Sequence, residues 1–394
     1  MYSPPTWSSI LKSPRILSTA IALVCLLAVF LLSHLQPSSR ISYFTSIANN
    51  TSKSPSFLFR PNSARLKDVH NSTLGFEKVF VVNLPSRPDK LDAFALISSL
   101  TGFKVDVIDG VLGQEVLNKS LPALEGIPED TSARNNIVGC WRAHLNFART
   151  IVENDLSSAL VMEDDADWNT GLKDQLDLFA QGSQFVTGVE PGQKLHSPYG
   201  DDWDLIWLGH CGNQIRSGDD RRFVIENDAT VPAVARRANF AHIPNMTREG
   251  YDNHTRIVYR AKRGLCLYGY ALSYRGARKL LRYQATRQEF KPIDISMGDW
   301  CEDNHDIKCI GVYPQLIDSH KGPGRKSRDS DIGNYDPNDV RTQGFTFNIV
   351  HSTRLNVDHL LADEWDKIER QWLADPEVTG PPRAKAMSKV LKFD

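Results

Sequence analysis

Ala159-Leu160-Val161-Met162-Glu163-Asp164-Asp165-Ala166-Asp167 is an apolar run that stops in a cluster of carboxylates. Like charges at neighbouring positions repel, and ionised side chains resist burial. A strand that leads straight from the core into such a cluster usually has a counter-ion. Oxygen ligands at this density suit Mg²⁺ or Mn²⁺, which keep positions open for phosphate oxygens. Metal-dependent chemistry on a nucleotide-activated substrate is one reading, and a solvated acidic turn is the other.

Working outward, Lys78 to Leu84 reads as a short buried strand, followed by a turn at Pro85–Asp89 and a helix from about Lys90 to Ser99. Phe103–Ile108 is a second strand, and a helix around Ile137–Glu153 precedes the acidic one. Further strands are expected at Asp204–Gly209, Tyr268–Ser273 and Gln315–Asp318, with a segment opening at Pro292–Ile295 that reaches Cys309–Pro314. Strands alternating with helices indicate an α/β domain with a mostly parallel central sheet, whose ligands collect at the carboxyl ends of the strands. Asn83, Arg87, Asp109 and the acidic cluster would all fall there. Gly218–Tyr259 is polar and patternless and reads as an inserted surface loop, while Leu355–Trp372 reads as an amphipathic helix.

Ile16 to Leu35 carries no charge, and a bilayer-spanning helix needs about 20 such residues. Lys12 and Arg15 precede it, so the positive-inside rule sends the rest of the chain across the membrane. The alternative is a cleaved signal peptide, but the apolar core is long for one and its exit is a poor cleavage site. The expected order is thus a cytoplasmic tail (1–15), a transmembrane signal anchor (16–35), a flexible stem (36–76), a catalytic domain (77–350) and a helical extension (351–394). The expected topology is single-pass type II, with a lumenal domain in the ER or Golgi. Glycosylation triplets begin at Asn49, Asn50, Asn71, Asn118, Asn245 and Asn253 and agree with that orientation. Cys25 lies in the span, leaving Cys140, Cys211, Cys266, Cys301 and Cys309 beyond it. An odd number leaves at least one thiol free or paired between chains. Cys301 with Cys309, and Cys211 with Cys266, are candidate pairs. The net charge of −1 gives no basic footprint for nucleic acid.

Several segments occur in a recognisable order: Val81–Lys90, Gly139-Cys140-Trp141-Arg142-Ala143-His144, Leu160–Ala166, Trp203–Gly209, Tyr268–Leu280, Pro292-Ile293-Asp294 and Ser330-Asp331-Ile332. Together they resemble glycosyltransferase family 25, which includes lipopolysaccharide-type and collagen galactosyltransferases. The chain departs from the family pattern at Lys90, where a second Arg is common, and at Ala143, where Ser is usual. The resemblance implies a GT-A-like fold, a UDP-sugar donor, UDP-galactose foremost, Mn²⁺ or Mg²⁺, and transfer with inversion to a glycan, protein or lipid acceptor.

Such a transfer needs a neutralised diphosphate, a base for the acceptor hydroxyl and a held sugar. For the metal the candidates are Asp165, then Asp167, which strand alternation would place on the same face, and Asp164, with His320 as a late ligand. Asn83, Arg87, Asp109 and Asp164 would face the nucleotide, and Lys321 and Arg325 its diphosphate. Asp294 is the candidate base, with Asp299 and Glu302 as rivals; the alternative for Asp294 is a helix cap. A glycoside hydrolase would also use paired carboxylates but no metal, and a degenerate sugar-binding relative is a third possibility.

Overall fold

The computed structural model describes residues 61, 63–122, 131–237, 242–303, 306–332, 336 and 338–388. The expected tail, anchor and most of the stem lie outside these residues, as do Asn49 and Asn50. Among the described residues no helix is long and apolar enough to cross a membrane.

In chain order the strands are β1 (Lys78–Asn83), β2 (Asp106–Asp109), β3 (Ser158–Glu163), β4 (Ala166–Trp168), β5 (Leu205–Gly209), β6 (Gly212–Ile215), β7 (Arg222–Glu226), β8 (Arg256–Leu265) and β9 (Gly269–Ser273). They continue as β10 (Cys309–Tyr313), β11 (Ile317–Lys321), β12 (Gly324–Arg325), β13 (Val340–Arg341), β14 (Phe345–Thr346) and β15 (Arg383–Met387). The main sheet has ten strands in the order β15-β7-β8-β10-β5-β9-β3-β1-β2, with β6 against β8. β1 pairs in parallel with β2 and β3, and β10 with β5. β8, β9 and β15 run against the direction the other strands share. The sheet is therefore mixed, with most strands pointing one way.

Alternation along β1 sends Val79 and Val81 to one face and Phe80 to the other, and all three are buried. Helices cover both faces. α1 (Pro88–Leu100) and α3 (Leu172–Thr187) bury Phe94, Ile97, Leu176 and Phe179 on one side. α2 (Thr131–Glu153), α4 (Tyr274–Ala285) and α5 (Ile293–Asp303) bury Trp141, Phe147, Leu280 and Trp300 on the other. Pro88 opens α1 with its ring-fixed φ, and Gly188, at φ +78°, ends α3 in the left-handed conformation. A second sheet, β14-β11-β4, is formed by the strand that follows the acidic turn.

Gly218–Tyr259 is not an inserted loop. It supplies β7 and the start of β8, and the polar residues that hid the pattern include a buried ion pair, Arg256 Nε to Asp228 Oδ2 at 2.8 Å. The helix expected at Leu355–Trp372 is one short element, α6 (Val357–Leu361). The final strand β15 lines the edge of the main sheet beside β7. Order also begins earlier than expected, since Val69 and Leu74 in the supposed stem are fully buried. Both candidate cysteine pairs are bonded, Cys211 to Cys266 and Cys301 to Cys309, and Cys140 is a free thiol.

Candidate active site

A cleft of about 170 Å³ opens at the carboxyl ends of β1, β2 and β3. The acidic turn Glu163–Asp165 forms one wall, Gly110–Gln114 another, and Asn135, Gly139, Cys140 and His144 of α2 a third, with Ser330–Ile332 at the mouth. Two glycines set how closely these walls approach. A Cβ on Gly113 would lie 1.9 Å from the Asn135 carbonyl oxygen, and one on Gly139 would lie 2.3 Å from that of Val111. Neither position accepts a side chain unless backbone moves.

The acidic cluster is a turn between two sheets rather than a continuous strand, because β3 ends at Glu163 and β4 begins at Ala166. Alternation therefore does not run through it, and Asp165 and Asp167 part company. Asp167 is fully buried away from the cleft. Its carboxylate accepts the hydroxyls of Thr346 and Ser352 and the backbone N–H groups of Trp168 and Arg354. All its bonding capacity goes to joining β4 to the C-terminal segment, which corrects its expected role as a metal ligand.

Asp164 lines the cleft and is held by Asn83, whose Nδ2 donates to Oδ2 at 2.8 Å, and by Lys90, whose Nζ lies 3.2 Å from Oδ1. Burial pushes its carboxyl up to about 6, with Lys90 opposing the shift. Asp165 accepts the Ser319 hydroxyl on Oδ2 at 2.7 Å, while its Oδ1 is buried with no hydrogen-bond partner among the described residues. Glu163 is 28 % exposed, and its Oε1 lies 3.7 Å from Nε2 of His144. The other ring nitrogen of His144 pairs with the Tyr270 hydroxyl at 3.2 Å. Arg354 donates to the carbonyls of Ala166 and Asp164, setting a second cation behind the turn.

The remaining expected residues lie around the cleft rather than in it. His320 donates its backbone N–H to the Asp165 carbonyl, and its Nδ1 is 2.9 Å from the Thr346 hydroxyl. Burial lowers its imidazole to about 4. It sits behind the acidic turn, among the partners of Asp167. Among the described residues no three His, Cys, Asp or Glu side chains converge as a metal cage would. Lys321 Nζ donates to the Ser319 hydroxyl at 2.6 Å, and Arg325 is exposed on β12. Arg87 spends its fork on Asp89, Asp331 and the Arg328 carbonyl. Those partners raise its pKa, Asp89 foremost, and hold Asp89 down to about 2. Asp109 is exposed beside Asn83 at the strand ends.

Asp294 does not line the cleft. Its oxygens accept the backbone N–H groups of Cys266 at 3.0 Å and Ile295 at 2.8 Å, which is the work of a tether at the start of α5. Sequence reasoning did not find Lys90 or Arg354 as partners of the cluster. Lys90 stood out only as a departure from Arg, and Arg354 carries no local signal because about 190 residues separate it from the turn it supports.

The domain is thus a mixed α/β fold with a mostly parallel central sheet and a carboxylate-lined cleft at the carboxyl ends of its parallel strands, where ligands collect in such sheets. The curated homologues of this chain are glycosyltransferase 25 family members. A probable inactive glycosyltransferase 25 family member 3 from Bos taurus is 29 % identical over 237 residues, covering 56 % of this chain and 32 % of that protein. Procollagen galactosyltransferase 2 from Homo sapiens is 22 % identical over 262 residues, 62 % of this chain and 35 % of that protein. Procollagen galactosyltransferase 1 from Danio rerio is 26 % identical, with 62 % and 36 % covered. The chain thus spans about a third of the length of these relatives. No family model matches. A mannose-1-phosphate geranyltransferase structure from Thermus thermophilus aligns over 61 % of this chain and 60 % of its own at 10 % identity and a TM-score of 0.24, too loose a likeness to carry an argument.

Proposed function

We propose that this chain is a GT-A-like glycosyltransferase that moves a hexose, galactose foremost, from a UDP-sugar to a hydroxyl of a protein, glycan or lipid acceptor. The observation that carries this reading is the acidic turn over the cleft, where Asp165 is a lining residue and its buried Oδ1 has no hydrogen-bond partner among the described residues. A buried carboxylate oxygen without a donor suits a cation, and the family of the homologues supports the donor class.

Asp165 would hold Mn²⁺ or Mg²⁺, with diphosphate and water oxygens completing the shell as these ions prefer. When bound, the ion would neutralise the charge on the leaving diphosphate. Lys90 supplies a fixed positive charge to the same cleft. Asn83 keeps Asp164 oriented, and Asp109 lies beside it on the nucleotide side. Glu163, a lining residue with His144 Nε2 3.7 Å from its Oε1, would take the acceptor proton in a single displacement with inversion. The two disulfides, together with the exposure of Asn71, Asn118, Asn245 and Asn253, support a lumenal domain anchored in the ER or Golgi membrane by 16–35.

A second reading, a sugar-nucleotide-binding protein without turnover, is favoured by the internal pairing of Asp164 with Lys90 and by the inactive relatives. The purified protein incubated with UDP-galactose, Mn²⁺ and a panel of hydroxyl-bearing protein, glycan and lipid acceptors separates the two. Release of UDP that EDTA abolishes supports the transferase. Tight UDP binding with no release favours the second reading, and no UDP binding at all contradicts both.

A further inference from the structure

A second concavity, of about 420 Å³, lies where β5 and β10 begin, at the opposite end of the strands from the donor cleft. Arg216, Arg221, Arg260 and Lys308 line it, against only two carboxylates, Asp202 and Asp219. Both carboxylates are already engaged. Asp219 takes the fork of Arg221, and Asp202 is paired with Lys308 and Arg275. Arg260 is 9 % exposed, donates no side-chain hydrogen bond among the described residues, and has a buried Nε without a partner. Burial lowers its pKa, and Arg221 and Arg216 add to the fall, which Asp219 and Asp202 oppose. A buried guanidinium nitrogen without an acceptor is a costly condition that a bound anion relieves.

We propose that this groove binds a phosphate monoester, carried on a soluble sugar or on a lipid headgroup. Four cations against two carboxylates leave an excess of two positive charges, which matches the roughly −1.5 to −2 charge of a phosphate monoester at neutral pH. Arg260 supplies a planar fork suited to phosphate oxygens, and Ser217 adds a hydroxyl at the rim. The volume exceeds that of the phosphate alone and leaves room for the group that bears it.

The test titrates inorganic phosphate, then glucose 6-phosphate, into the full-length protein by calorimetry at constant ionic strength set with chloride. Vesicles containing phosphatidylinositol phosphate are tested by co-sedimentation. Arg260→Gln removes the central cation, and Ser217→Glu, at an exposed position that leaves the fold intact, sets a negative charge at the rim. The expected result is saturable phosphate binding weakened about tenfold or more in both variants, with UDP binding unchanged. Stronger binding of the sugar phosphate identifies a soluble ester, and vesicle pelleting that the variants lose identifies a headgroup. Binding no stronger than chloride, or binding that both variants retain in full, overturns the proposal.

Discussion

Two charged groupings in this molecule are built in opposite ways. Arg256 and Asp228 are 1 % and 4 % exposed in their side chains, and nearly every polar atom is matched. Arg256 donates to Asp228, to the carbonyls of Pro314, Gln315 and Thr230 and to the Thr230 hydroxyl, while Asp228 also accepts from Thr230. The acidic turn is matched only in part: Asp164 is shared between Lys90 and Asn83, and Asp165 keeps an oxygen without a donor. The first grouping is closed and holds β8 to the 228–231 turn and the β10–β11 connection. The second opens on a cleft, and its unmet capacity is what a ligand can use. Completeness of bonding separates structural charge from functional charge here.

Breaking the closed grouping has the largest expected effect. Arg256→Met strands Asp228 as a buried, unpaired charge and should destabilise the fold by about 3–5 kcal/mol, read from urea unfolding. Asp165→Asn should leave stability within about 1 kcal/mol while cutting manganese-dependent UDP affinity by about 100-fold. Equal stability losses in the two variants would erase the distinction between the groupings.

Lys90→Gln sharpens it further. Loss of a charged donor in the cleft should weaken UDP binding about tenfold. It should also raise the Asp164 carboxyl above its present value of about 6, because the cation that opposes burial is gone; carboxyl-carbon NMR reads this directly.

Acidification tests the buried polar sites away from the cleft. Burial lowers His210 and His351 to about 4, below their unfolded value of about 6.5. The unfolded chain therefore binds more protons between those values, so the stability from these residues is full above about pH 6.5 and lost as pH falls through about 4. Asp318 acts in the opposite sense: burial raises it to about 7, so its contribution is full below the unfolded carboxylate range and lost as pH rises through 7. Melting temperatures from pH 7.5 to 4 should fall less steeply in His351→Gln. The smallest effect belongs to Arg325→Ala, exposed on β12 and outside the cleft, which should change stability by no more than about 0.5 kcal/mol.

The parts of the fold legible in sequence were those written in local periodicity. β1, β3, β5 and β9 were apolar runs with clear ends, and the acidic cluster at the end of β3 located the cleft. β7 and β8 were obscured because the polar residues beside them are buried in a paired state that composition cannot distinguish from a solvated loop. The expected sharing of a face by Asp165 and Asp167 failed because a turn, invisible to strand alternation, lies between β3 and β4. His320 and Asp294 sit near the right elements, but their hydrogen-bond partners come from Thr346 and Cys266, and sequence spacing does not reveal those long-range choices.

On the proposed reading, the open oxygen of Asp165 makes the acidic turn a metal-assisted nucleotide site. Calorimetric titration of UDP into the protein, with Mn²⁺ and with EDTA, and again into Asp165→Asn, tests it most directly. The account predicts saturable binding that requires Mn²⁺ and disappears in a variant that melts like the wild type. Binding that is indifferent to both metal and Asp165, or no binding at all, would contradict it.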